Sequence, residues 1–323
     1  MVKRQEGQEA ATYDEACNIG FCSVWGATIG GWGATYTTVR TADEFASAVS
    51  GKQEGVIIVE GNITSAEPRT IEVGSSKSIV GAPESSLSGI SLLLSGSGNV
   101  ILRNLKLVDP APGYFAISLN AARSVWVDHC DLSGDEVPYL LSIINGTDYV
   151  TVTHNKFYSH VSQPFPAVNV GHVGENVDNA KQKLHITFAR NYFSGVQKAI
   201  DFRYGTGHIF NSYFENLTQG VDITDAGQVF IEGSVFDGIG INKAVYSSHE
   251  DGFVTIKDSV FAGGQYGQPD GVKQGSLDHE SIGYPYDWFL WEGTSGVKEG
   301  VKRWAGQSLE FLVWEEGTAG EPW

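Results

Sequence analysis

The chain has 323 residues and a formal net charge of −17, a sign that excludes nucleic acid and anionic membranes as natural partners. With 40 glycines, one methionine and no sustained heptads, the composition favours strands and turns over helices. No apolar run approaches the roughly 20 residues of a membrane span, and an acidic polysaccharide would itself be repelled unless a local basic patch or a bound cation reverses the field.

In chain order, "MVKRQEG" carries the dibasic pair Lys3-Arg4. Residues 1–16 read as a propeptide remnant or N-terminal extension, an ordinary basic N-terminus being the alternative, and residues 17–323 as a single domain. Cys17 and Cys22 fit a small disulfide loop that leaves Cys130 single; pairing of Cys130 with either of them is the other possibility. Asn-x-Ser/Thr tripeptides at Asn62, Asn145 and Asn216 agree with secretion. "TADEFASAVSG" predicts a helix, with Thr41 and Glu44 as a capping box, Phe45, Ala48 and Val49 as its apolar stripe and Gly51 at its end.

Beyond it one short pattern returns: "VILRNLKL", "VWVDHCDL", "VTVTHNKF", "ITFARNYF", "GHIFNSYF", "VFIEGSVF" and "VTIKDSVF". The closing residues Leu107, Leu132, Phe157, Phe193, Phe214, Phe236 and Phe261 are 25, 25, 36, 21, 22 and 25 residues apart. Two positions before each close stand Leu105, Cys130, Asn155, Asn191, Ser212, Ser234 and Ser259, small or amide side chains from the second copy on, as an internal ladder requires. A period of 20–25 residues with strand character predicts a solenoid. Leucine-rich repeats lack their leucines here, and a sandwich explains the constant phase poorly. The 36-residue interval marks one coil with a long loop from about Tyr158 to Lys181. Trp25, Trp32, Trp126 and the aromatics from Tyr284 to Trp291 are expected to pack the core ends or to form a sugar-stacking row. The tail from Gln265 loses the repeat and reads as a wrap-around segment.

The segments "ACNIGFC", "TADEFASAVSG", "VGSSKSIVGA", "NVILRNLKL", "SVWVDHCDLS", "GTDYVTVTHNKF" and "FRYGTGHIFNSYFEN" resemble the fungal pectate lyases of polysaccharide lyase family 1, from about Ala16 to Gly264. The resemblance implies an all-β chain: a right-handed single-stranded parallel β-helix with a short N-terminal helix and a C-terminal wrap-around tail. It implies a secreted, monomeric protein that cleaves pectic polymers by β-elimination. The family's Arg-x-Pro-x-x-Arg-x-Gly motif reads here Lys198-Ala-Ile200-Asp-Phe-Arg203-Tyr-Gly205, so its base is a lysine and its proline an isoleucine. Of the family's calcium aspartates, Asp128 and Asp131 remain, while Pro138 and Ser142 stand at the later ligand positions; Asp135 and Glu136 are the possible replacements. The lysine expected in the next loop is missing, with His160 and His172 retained there, and a groove arginine becomes Thr224. A calcium-independent site without a resident metal or cofactor is therefore expected, with Asp128, Asp131, His160, His172 and Thr224 as substrate-binding positions.

β-Elimination from a uronate needs a base for the C5 proton and a positive charge for the carboxylate. Lys198 and Arg203 are the candidates, a lysine base requiring burial or a neighbouring cation to be neutral; a surface lysine and a structural salt bridge are the duller readings. Asp201 lies eight residues after Phe193 and Asp222 eight after Phe214. Stacked in phase, they would form an acid/base pair, unless each serves a structural ion pair. Three readings follow: a lyase using Lys198 and Arg203, a glycoside hydrolase using Asp201 and Asp222, and a non-catalytic carbohydrate-binding protein. His129, His172 and His208 lack metal-ligand spacing.

Overall fold

The computed structural model describes residues 11–24, 26–113, 115–160, 162–174, 183–249, 251–261, 269, 271–278, 280, 286 and 288–311. Its strands pair only in parallel among the described residues and wind into a β-solenoid of about nine turns. The first face is an 11-stranded sheet that includes Arg123–Asp128, Asp148–Thr153 and His185–Ala189. The other sheet has 14 strands and makes two faces, because Ser86–Ser95 pairs through Leu87 with Leu107 and through Leu92 with Ile117. Gly89, at φ +68°, sits between the two pairings. The second face holds the short strands such as Asp131–Ser133, Lys156–Tyr158 and Tyr192–Ser194. The third holds Phe115–Asn120, Tyr139–Ile144, Pro166–Val170, Lys198–Arg203, Gln219–Thr224 and Val245–Tyr246.

The corner from first to second face explains the repeat. It is turned by one residue in the left-handed region: Asn104, His129, His154, Arg190, Asn211, Gly233 and Asp258, with φ between 48° and 58°. The next residue is the predicted ladder position. Asn191 Oδ1 accepts from the Asn155 N–H at 2.9 Å, Ser212 Oγ from Asn191 N–H at 3.3 Å, and Ser234 Oγ from Ser212 N–H at 3.2 Å. These side chains satisfy corner amides that the strand ladder leaves unpaired inside the tube. Two residues further, Phe157, Phe193, Phe214, Phe236 and Phe261 form a continuous stack with centroid spacings of 4.6, 4.9, 4.4 and 5.2 Å. Near-parallel rings at this spacing are the sheet's own repeat of about 4.8 Å, and they lie within the main buried core.

The N-terminal helix is Ala42–Val49 with both halves of the capping box present and Phe45 and Val49 fully buried. Cys17 and Cys22 form the disulfide, and Cys130 is a buried free thiol whose ionisation burial strongly opposes. The interval after Tyr158 is not all loop. "PAVNV" (Pro166–Val170) is a fully buried strand of the third face, its short apolar run having no alternation to mark it; residues 175–182 lie outside the described residues. The packed body also starts before Cys17: Ala11 bridges Phe311, and Glu15 pairs with Arg103 at 2.8 Å. Lys3-Arg4, Trp25 and Tyr284 lie outside the described residues. The tail wraps as expected, but it contains an unforeseen helix, Gly293–Trp304, in which Val297 and Val301 are buried against Tyr213 and Val235. Its glycines and uncapped start hid it. Trp126 is buried, whereas Trp32 is 63% exposed.

Candidate active site

The strand Lys198–Arg203 alternates in a way that points its chemistry outward. Ile200 and Phe202 belong to the buried core, so Asp201 and Arg203 stand on the opposite face of the third sheet. In register, Asp201 faces Asp222 on the next coil and Asn169 on the previous one, and Arg203 faces Thr224. Tyr246 follows Asp222 in the same column. The predicted carboxylate neighbours are therefore brought together, in phase.

Burial, and then the Asp222 carboxylate, raise the Asp201 carboxyl to about 6; Arg203 and Lys198 oppose this. Asp222 is held by the Ser248 N–H at 2.8 Å. The Tyr246 and Tyr139 hydroxyls are also pushed up, first by burial; next come Asp222 and Asp201 for Tyr246, and Asp201 for Tyr139. Tyr139 thus reaches from two coils away into the field of Asp201. Arg203 donates to Asp225 Oδ2 at 2.6 Å, and Thr224 Oγ1, itself buried, donates to the same oxygen at 3.2 Å. Lys198 is half-buried and makes no salt bridge to a described residue. The cluster can shuttle a proton near neutral pH at Asp201 and hold an anion at Lys198 and Arg203.

The other predicted positions do not join it. Asp128 is on the first face, 1% exposed, with Arg103 Nε at 3.0 Å, His129 Nδ1 at 2.8 Å and the Thr153 hydroxyl at 2.6 Å. Asp131 is on the second face, where the C-terminal segment covers it; a Cβ on Gly306 would lie 2.4 Å from its Oδ1. His160 is fully buried with Nε2 2.8 Å from the Val137 carbonyl. His172 Nε2 lies 3.0 Å from Asn145 Oδ1 on the rim of the third face. With Asp128, Asp131 and Ser142 on three different faces, these donors do not fit a calcium ion, which needs six to eight converging oxygens. Among the described residues, the one group with metal-ligand spacing is Asp128, His129 and His154, all buried. Arg103 already neutralises that carboxylate.

Comparisons with known proteins agree with this architecture. A profile of the family described as "Pectate lyase" matches residues 8–263. The chain is 37% identical over 314 residues to a "Probable pectate lyase A" of Aspergillus fumigatus, covering 94% of this chain and 92% of that protein. The chain belongs to the pectate lyase family. "Pectate lyase A" of Aspergillus niger is 35% identical over 310 residues, covering 93% of this chain and 90% of its own length. A Bacillus pectate lyase solved in complex with trigalacturonate superposes with a TM-score of 0.75 at 23% identity, over 90% of this chain and 98% of that one. The sequence placed Lys198, Asp201, Arg203 and Asp222 on neighbouring coils, and the register brings them onto adjacent strands; it did not point to the side chains around them. Tyr139, Phe165, Asn169 and Tyr246 carry no motif; Asn169 and Tyr246 share the register column of Asp201 and Asp222, whereas Tyr139 pairs with Phe115 and packs on Phe165.

Proposed function

We propose that this pectate lyase family member is secreted and cleaves a uronate-containing polysaccharide by β-elimination on its third face, without a resident calcium ion. The observation that carries the reading is the single strand that holds Lys198, Asp201 and Arg203 beside Asp222, with both cations acting on the Asp201 carboxyl. In this reading the glycan lies along the third face with a uronate over that strand. Asp201, ionised above about pH 6, accepts the C5 proton; the C4–C5 double bond forms as the C4–O4 bond breaks, and the departing oxygen takes a proton from water. Lys198 and Arg203 offset the charge that develops on the uronate as the proton leaves, in the role a metal ion fills elsewhere. The Cys17–Cys22 disulfide suits an oxidising, extracellular compartment.

The test is ultraviolet absorbance of an unsaturated product from polygalacturonate and methyl-esterified pectin, with and without chelator. Product that survives chelator and falls at least about 100-fold in Lys198→Ala is the expected outcome; product abolished by chelator, or unchanged in Lys198→Ala, contradicts it. The in-register pair of Asp201 and Asp222 favours one second reading, hydrolysis by a general acid/base pair. New reducing ends without unsaturation, lost in Asp222→Asn, would identify it. Binding of a polymer with neither product would mark a non-catalytic carbohydrate-binding protein.

A further inference from the structure

The third face changes character along the solenoid axis. The strands Lys198–Arg203 and Gln219–Thr224 carry its charges, whereas "FAISLN" (Phe115–Asn120), "YLLSII" (Tyr139–Ile144) and "PAVNV" (Pro166–Val170) carry none. Their centre is a column of small polar side chains, Ser118, Ser142 and Asn169, in direct register and each at most 5% exposed. Along one side runs an aromatic wall. Phe115 and Tyr139 are register partners, and Tyr139 meets Phe165 edge-on with centroids 5.6 Å apart. Phe165 is 43% exposed, one of five large hydrophobic side chains so exposed among the described residues. Along the other side runs an amide rail: Asn145 Nδ2 donates to Asn120 Oδ1 at 2.8 Å, and His172 Nε2 lies 3.0 Å from Asn145 Oδ1.

We propose that this trough binds pyranose units that carry no free carboxylate; the inference rests on the reading that a glycan lies along the third face. The apolar face of a sugar ring stacks on an aromatic wall, and its hydroxyls suit an amide rail. The three strands span about 10 Å at the parallel spacing, room for a short run of rings leading to Lys198 and Asp201. Among the described residues, these three strands offer a carboxylate no cation. The charges in the flanking loop, Asp135 and Glu136, are of its own sign, and unpaired burial of a charge is strongly disfavoured. An uncharged ring avoids that loss, so the trough discriminates as much by what it repels as by what it holds.

An esterified uronan and a neutral glycan both supply such rings, and calorimetry on the full chain separates them. Three polymers are titrated at fixed salt: de-esterified polygalacturonate, the same polymer highly methyl-esterified, and a neutral galactan. At least one uncharged polymer is expected to bind ten-fold or more tightly than the de-esterified one, and which does so names the source. Phe165→Ala and Tyr139→Ala are each expected to weaken that binding about ten-fold. Phe165 is exposed enough that its variant keeps the parent's melting temperature. The proposal is overturned if the de-esterified polymer binds best, if neither uncharged polymer binds, or if both aromatic variants bind like the parent. Failure of the elimination reading looks different: the same order of affinities with no unsaturated product from any polymer.

Discussion

Replacing Asp201 by asparagine is expected to make the protein more stable and less active at once. The folded-state carboxyl titrates at about 6 against an ordinary value of 3.8. The fold therefore holds this proton more tightly than the unfolded chain does. Its contribution is fully present below pH 3.8 and is lost as the pH rises to about 6, where ionisation beside Asp222 removes up to about 3 kcal/mol. An amide cannot ionise. Asp201→Asn should thus unfold at a higher urea concentration than the parent at pH 7, and the two should converge near pH 4. If Asp201 is the proton acceptor, kcat/KM of the variant falls by about 10²–10⁴-fold, and the parent's kcat/KM rises with pH through about 6. A stability gain with full activity would leave Asp201 a strained structural acid and remove it from the mechanism.

The second large effect lies on the opposite side of the tube. Asp128→Ala is expected to destabilise the chain by about 3–5 kcal/mol, since it strips one partner from a buried ionic network. Of its two carboxylate partners among the described residues, Arg103 would keep Glu15, at 2.8 Å. The stacked imidazoles of His129 and His154, with centroids 4.3 Å apart, would lose the carboxylate that both Nδ1 atoms approach. Thr153, which also accepts from Trp126 Nε1 at 2.7 Å, would lose its acceptor. The urea midpoint should fall sharply at neutral pH, with KM unchanged in whatever fraction stays folded. A raised KM with an unchanged midpoint would instead place Asp128 at the substrate.

How far these features could be read from the sequence depends on whether a residue's role is periodic. The closing phenylalanines and the small residues two places earlier repeat with the coil, so their stacking followed from spacing alone. The pairing of Asp201 with Asp222 followed from the same phase. Asp128 misled because "VDHCDL" joins two faces: its neighbours in sequence, Leu132 and Cys130, are core residues, while Asp128 turns toward Arg103 and the N-terminal segment. No one-dimensional pattern distinguishes a carboxylate facing a groove from one facing the chain's own first residues. Tyr139 and Phe165 were invisible for a related reason, as each occurs once and acquires meaning only beside a strand more than thirty residues later. The helix Gly293–Trp304 lies beyond the repeat, where packing against the finished solenoid outweighs weak local propensity.

The stack of phenylalanines has one more consequence. Because every ring sits on its counterpart one turn below, the backbone acts as a ruler whose graduations cannot drift. Copying or deleting one whole turn would lengthen or shorten the exposed track by a single graduation, close to the length of one sugar, while the chemistry at Asp201 stays where it is. Such proteins can be refitted for a different polymer by swapping rungs, much as a typesetter changes one line of a page.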